Sequence, residues 1–218
     1  FWVLATLVAT TVWRRRLRLS YEWWEGLHLL LAGVAAVSAV AHVLSVNGYT
    51  EAAPLRWMVW GYAGVFGAVT LNYRLVRPLG LMGRPWELVS NDDAGGRVRT
   101  LRLRPVGHAG FEFEPGQFAW LLTGRTPLWS QQHPLSISSS AEMPPDRTIE
   151  FSVKGLGDWS AAVVPLLRSG ARVWVDGPFG AFTQERKAGQ GFVFIVGGIG
   201  IAPIRSMLLS MRDRGDRR

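Results

Sequence analysis

The chain has 218 residues, a formal net charge of +8 and no cysteine, and 48% of it is hydrophobic, including 11 Trp. Without cysteine it holds no disulfide, thiol nucleophile or cysteine-ligated iron–sulfur cluster. The basic excess does not read as a nucleic-acid surface. Arg14, Arg15, Arg16 and Arg18 lie between apolar runs, and Arg74 and Arg77 follow another, which is where cytoplasmic loop charges sit beside membrane helices.

Residues Phe1 to Trp13 are apolar but too few to cross a bilayer, which takes about 20 residues. With a start at Phe inside that run, the chain is expected to be a fragment or a processed product. An apolar helix is predicted over about 23–46, with Trp23 and Trp24 placed as interfacial aromatics and Asn47-Gly48 ending it. The loop from Gly48 to Pro54 carries Glu51 and no Lys or Arg, and a second span is predicted over about 55–76. Residues 1–76 are thus expected to be part of a multi-pass helical domain in the plasma (inner) membrane. Lipid is its partner, and the Arg-rich loop and Arg77 lie on the cytoplasmic side.

From about Arg84 the pattern changes to short alternating segments broken by Gly and Pro. Strands are predicted at 86–89, 98–103, 118–122, 149–153 and 173–175, with a helix over 159–167 whose last turn Pro165 weakens. Strands at such spacing predict a small antiparallel β-barrel over 84–183. Phe192 to Val196, a continuous apolar run followed by glycines and a helix over 204–211, predicts the start of an α/β nucleotide-binding domain over 190–218. The fold class is therefore a membrane all-α domain, then an antiparallel barrel, then a truncated α/β unit.

Three constellations carry chemistry. His28 and His42 are fourteen residues apart, so on a helix they share a face, about 21 Å apart along the axis. Ala32, Ala35 and Ala39 lie between them and leave room for a flat group. Intramembrane histidines are costly and functional by default, and histidine is a standard axial ligand of haem iron. Read alone, the pair is equally two histidines snorkelling at the interfaces beside ordinary helix-packing alanines. The second constellation is His133-Pro134-Leu135-Ser136-Ile137-Ser138-Ser139, read as a tight His-Pro turn feeding a Ser-rich strand. Val153-Lys154-Gly155-Leu156-Gly157-Asp158-Trp159-Ser160 joins it, a strand turning through glycines into a helix start whose N–H groups favour an anion or are merely capped by Asp158 or Ser160. The third is Gly197-Gly198-Ile199-Gly200-Ile201-Ala202-Pro203, glycines that let the backbone approach a dinucleotide.

In this order the segments resemble the ferric reductase and NADPH oxidase family. His28 and His42 are similar to the helix of its transmembrane domain that ligates two b-type haems. Pro115-Gly116-Gln117-Phe118, His133 to Ser139, Val153 to Ser160 and Gly177-Pro178-Phe179-Gly180 resemble its ferredoxin reductase-type FAD-binding domain. The resemblance implies that His133, Pro134, Leu135, Ser136, Ser138, Ser139, Val153, Lys154, Gly157, Trp159 and Ser160 lie at FAD. It likewise places Gly197, Gly198, Gly200, Ala202 and Pro203 at NAD(P)H, and His28 and His42 on haem iron. Leu135 departs from the family's usual aromatic, which leaves apolar contact rather than ring stacking there. His108 and His133 lie in the soluble part, so the opposing haem ligands are expected upstream of Phe1. The activity implied is electron transfer from NAD(P)H through FAD and haem to a ferric chelate or dioxygen. A membrane-tethered flavin reductase without haem, and a permease fragment with a regulatory nucleotide-binding domain, remain open as alternatives.

Overall fold

A computed structural model describes residues 1–19, 21–46, 52–142, 144, 146–184 and 191–216. The chain divides into two compact units, Phe1–Arg74 and Leu75–Arg218. In the first, helix α1 spans Trp2–Val12, α2 Tyr21–Ser45 and α3 Ala53–Leu71. The stretch Trp23–Ser45 is long and apolar enough to cross a membrane and, among the described residues, is alone in being so. Large apolar side chains on it are exposed, Leu30 at 64% and Val37 at 71%. The predicted end at Asn47-Gly48 and the loop with Glu51 lie outside the described residues.

Residues 55–76 are helical as predicted. The α-helix Ala53–Leu71 is followed by a π-helical turn over Asn72–Val76 and by a short helix α4 at Arg77–Met82. Pro78 accounts for the irregular turn: it has no N–H to donate and its ring crowds the carbonyl four residues back, which disrupts the α ladder just before it.

The second unit is built on six antiparallel strands, β1 Trp86–Gly95, β2 Val98–Pro105, β3 Phe118–Thr123, β4 Gln131–Ser136, β5 Ile149–Lys154 and β6 Arg172–Phe179. Their order is β4-β3-β6-β1-β2-β5, and a bridge from Ile137 to Phe151 joins the two ends, closing the predicted barrel. Alternation fills it. Leu101, Leu103, Ile149, Phe151 and Leu121 are fully buried beside Trp86 and Leu88, each stabilising the fold by about 1.5–3 kcal/mol on area grounds. Arg102 and Arg104, at the intervening positions of β2, stay outside.

Four local expectations change. The His133-Pro134 segment is not a turn but part of β4, whose one ladder partner is β3; a proline without an N–H fits such an edge. The helix predicted over 159–167 is a π-helical turn, Trp159–Val163, followed by a 3₁₀ turn, Val164–Leu166, because Pro165 cannot continue the α ladder. Phe192 to Val196 forms no strand, with Val193 91% and Ile195 97% exposed. An apolar strand of a parallel sheet is stable only between neighbours that cover it, and none pairs with it among the described residues. The helix after the glycines, α5, starts earlier than predicted and spans Ile201–Arg214.

Candidate functional site

The seam that closes the barrel is where the His133–Ser139 segment lies. Ile137 N–H donates to Gln117 O at 3.0 Å and Ser138 N–H to Glu150 O at 2.8 Å. Ser139 Oγ accepts from Glu150 N–H at 3.1 Å, and Ser152 Oγ donates to Ser138 Oγ at 3.0 Å. Both serines are buried, so their hydroxyls hold the seam. Strand alternation sets His133 and Leu135 on one face of β4 and Pro134 and Ser136 on the other. Leu135 packs against the barrel core, while Ser136 is half-buried opposite Phe118 in the ladder.

The His133 ring is stacked on Trp159, with centroids 3.6 Å apart and planes 12° from parallel. Trp159 is fixed from its other edge, where Nε1–H donates to Thr123 Oγ1 at 2.8 Å. Burial lowers the His133 pKa from 6.5 to about 4, and its Nε2 is buried without a hydrogen-bond partner. At neutral pH the imidazole is therefore uncharged. It would meet a phosphate or ring oxygen as an N–H donor, not as a cation.

On β5, Ile149, Phe151 and Val153 face the core, and Glu150, Ser152 and Lys154 face outward. Val153 is 3% exposed, so only its backbone can reach a ligand. The turn that follows is capped by Ser160, whose Oγ accepts from Leu156 N–H at 3.0 Å and Gly157 N–H at 2.9 Å. Of these, Gly157 is one of the residues the resemblance placed at FAD. The five-residue turn behind them is too short to add a helix dipole of consequence.

The glycine loop is built as the sequence suggests. Gly197 is extended, Gly198–Gly200 make a 3₁₀ turn, and α5 follows with Ala202 buried and Pro203 in its first turn, where no N–H is needed. Gly198 has φ +55, and a Cβ there would lie 3.9 Å from Lys154 Nζ, so the ammonium sits beside the loop. A Cβ at Gly197 would meet nothing within 4 Å, and one at Gly200 would meet Val196 Cγ1 at 3.6 Å. A flat or phosphate-bearing group has access to this backbone.

Beneath the loop, α5 is tied to the seam by residues that sequence reading did not find. Arg205 donates from Nη1 to Ser138 O at 2.6 Å and to Glu150 Oε2 at 2.8 Å, and Ser210 Oγ accepts from Ala141 N–H at 2.8 Å. Glu150 was legible as an outward position of a strand, but its arginine partners come from β2 and α5, distant in sequence.

In the first unit His28 and His42 both lie on α2. His28 Nδ1 is 3.2 Å from Thr11 Oγ1, and its ring lies 5.1 Å from that of Trp24; His42 is exposed. Each can offer one ring nitrogen to a metal, with alanine at the intervening positions of the face. His108 cannot. Its Nδ1 accepts from Gly110 N–H at 3.0 Å, which fixes Nε2–H as the donor to Pro85 O at 2.9 Å.

Residues 100–183 match the FAD-binding domain family. The reductase component of propane 2-monooxygenase from Rhodococcus jostii is 32% identical over 123 residues, covering 56% of this chain and 32% of that protein. A superoxide-generating NADPH oxidase heavy chain of Dictyostelium discoideum is 25% identical over 240 residues, covering 99% of this chain and 32% of its own length. The chain thus spans about a third of these relatives. Among solved structures, phthalate dioxygenase reductase, a modular structure for electron transfer from pyridine nucleotides to [2Fe-2S], aligns with a TM-score of 0.52 at 21% identity. That alignment covers 61% of this chain and 41% of the other and shows a shared fold.

Proposed function

We propose that this chain, whose residues 100–183 match the FAD-binding domain family and which is similar to NADPH oxidases, is part of a plasma-membrane flavohaem oxidoreductase of the ferric reductase and NADPH oxidase type. It moves electrons from NAD(P)H through FAD and haem b, across the bilayer, to a ferric chelate or dioxygen. The observations that carry this reading are the stacking of His133 of β4 on Trp159 of the turn after β5, with a buried, unpartnered imidazole nitrogen at His133, and the Lys154 ammonium beside Gly198 of the glycine loop.

FAD supplies the conversion of a two-electron hydride donor into one-electron steps. This chain's residues do the holding. Ser136 offers its hydroxyl from β4, His133 an N–H, and Trp159 an aromatic face. Gly197, Gly198 and Gly200 give NAD(P)H an open backbone, with Pro203 and Ala202 starting the helix behind it. Lys154 places a positive charge between the two. His28 and His42 would each hold a haem iron through one ring nitrogen, and the run Trp23–Ser45 is long enough for the two to sit toward opposite leaflets. The arginines from Arg14 to Arg18 and Arg74 to Arg77 put the flavin and nucleotide domains in the cytoplasm.

The test is directional. In inverted membrane vesicles, added NAD(P)H reduces flavin and then haem, read by absorbance; outside sealed cells the same addition does nothing. Reduction from outside intact cells overturns the topology. Absence of haem absorbance in the purified protein favours the haem-free reductase.

A further inference from the structure

Glu150, Arg102 and Arg205 form a charged cluster that the cofactor assignments above do not use. Glu150 Oε1 accepts from Arg102 Nε at 3.0 Å and Nη2 at 2.7 Å, and its Oε2 accepts from Arg205 Nη1 at 2.8 Å. Its side chain is 12% exposed. Burial pushes this carboxyl up, but hydrogen bonds from Arg102 and Arg205 outweigh burial and hold it below its ordinary value. It is a carboxylate at neutral pH.

The same residue is the backbone hub of the seam, accepting from Ser138 N–H and donating to Ser139 Oγ. Arg205 reaches into that hub from the second turn of α5, and its Nη1 also donates to the Ser138 carbonyl at 2.6 Å. Ordinary anchoring of α5 needs none of this. Ser210 already holds the far half of the helix through Ala141, and a Cβ built at Gly116 would lie 2.4 Å from Met207 Cε, so that side chain packs directly on the Pro115-Gly116 turn. What Arg205 adds lies at the loop end. It connects the helix that follows Gly200 to a carbonyl two residues beyond Ser136.

Resting on the reading of Ser136 as a flavin residue and Gly197–Gly200 as the nucleotide loop, we propose that Arg205 is a positioning residue for hydride transfer, setting the nucleotide loop in register with the flavin segment through Ser138 O and Glu150. The step it serves moves a hydride from the dihydronicotinamide, oxidised to the pyridinium, to the flavin ring, reduced by the same two electrons. Misplacement of reacting atoms by about 1 Å costs on the order of a hundredfold in rate. A guanidinium that bridges two acceptors holds a geometry that a single ammonium does not.

The test compares the full-length, FAD-loaded protein with its Arg205→Met, Arg205→Lys and Glu150→Gln variants, reading anaerobic flavin reduction in single turnover against NAD(P)H concentration. Arg205→Met lowers the limiting rate by about ten- to a hundredfold, with little change in the half-saturating concentration, in FAD content or in reduction by dithionite. Arg205→Lys recovers part of the rate. Without nucleotide, amide exchange of the first turns of α5 rises in Arg205→Met while that of β1 and β2 does not. An unchanged limiting rate, or a loss wholly in half-saturation, overturns the proposal, the latter by making Arg205 a nucleotide ligand. If Arg205→Met loses its FAD, Glu150→Gln decides: slowing of the same step supports the proposal and a normal rate overturns it. Wild-type flavin that NAD(P)H does not reduce sinks the functional reading instead, and the exchange measurement still decides whether Arg205 docks the helix.

Discussion

His133 and Trp159 lie ring on ring, 3.6 Å between centroids, so the imidazole on β4 is covered by an indole from the turn after β5. One strand and one turn, more than twenty residues apart in sequence, make a single aromatic surface.

This burial has a pH signature. The folded His133 pKa is lowered from 6.5 to about 4, so between those values the unfolded chain takes up a proton that the folded chain refuses. Stability of the FAD-free protein should therefore fall as pH drops from 6.5 toward 4 and level off below that. Discounted for partial exposure, the loss is about 1–3 kcal/mol. His133→Gln should flatten that slope in urea melts taken across the range; an unchanged slope would show that other groups set it.

Replacing His133 and Ser136 together with Ala should weaken FAD binding by about 1–3 kcal/mol, the scale of hydrogen bonds lost at a buried site. Flavin fluorescence titration measures it. Equal affinity in the double variant would move the flavin site off β4.

Gly116 has φ +98, and a Cβ there would lie 2.2 Å from Phe182 O and 2.4 Å from Met207 Cε. Backbone cannot retreat as a methionine can. Gly116→Ala should cost at least about 2 kcal/mol from backbone strain and overpacking, seen as a lower denaturant midpoint. A midpoint equal to wild type would mean that the turn can open without loss.

Gly200 is different. Its φ of −56 suits any residue, and a Cβ would meet only Val196 Cγ1 at 3.6 Å. Gly200→Val should fold, retain FAD and remain reducible by dithionite, yet lose reduction by NAD(P)H, because the branched side chain fills the space where a pyrophosphate approaches. Normal nucleotide-driven turnover in this variant would place the dinucleotide elsewhere.

For haem, His28→Ala and His42→Ala in the full-length protein should each remove one haem from the dithionite-reduced spectrum, since each deletes one axial ligand. Two haems per polypeptide in either variant would disprove the ligation by these two residues.

The antiparallel barrel, five of its six strands and the order apolar helix, His-Pro segment, glycine loop were legible in the sequence. They depend on local signals: period-two alternation in Val98 to Leu103, proline and glycine at the turns, and a long apolar run around His28 and His42. Even Pro165 announced a weak final turn. Tertiary structure alone decided that Pro134 sits in an edge strand, that Ser138 and Ser139 spend their hydroxyls closing a seam, and that Trp159 covers His133. It also decided that Arg205 reaches Glu150 across fifty-five residues. Alternation tells which face a side chain takes, but it carries no record of what lies on that face. That is set when segments far apart in the chain are brought together by burial of the core between them.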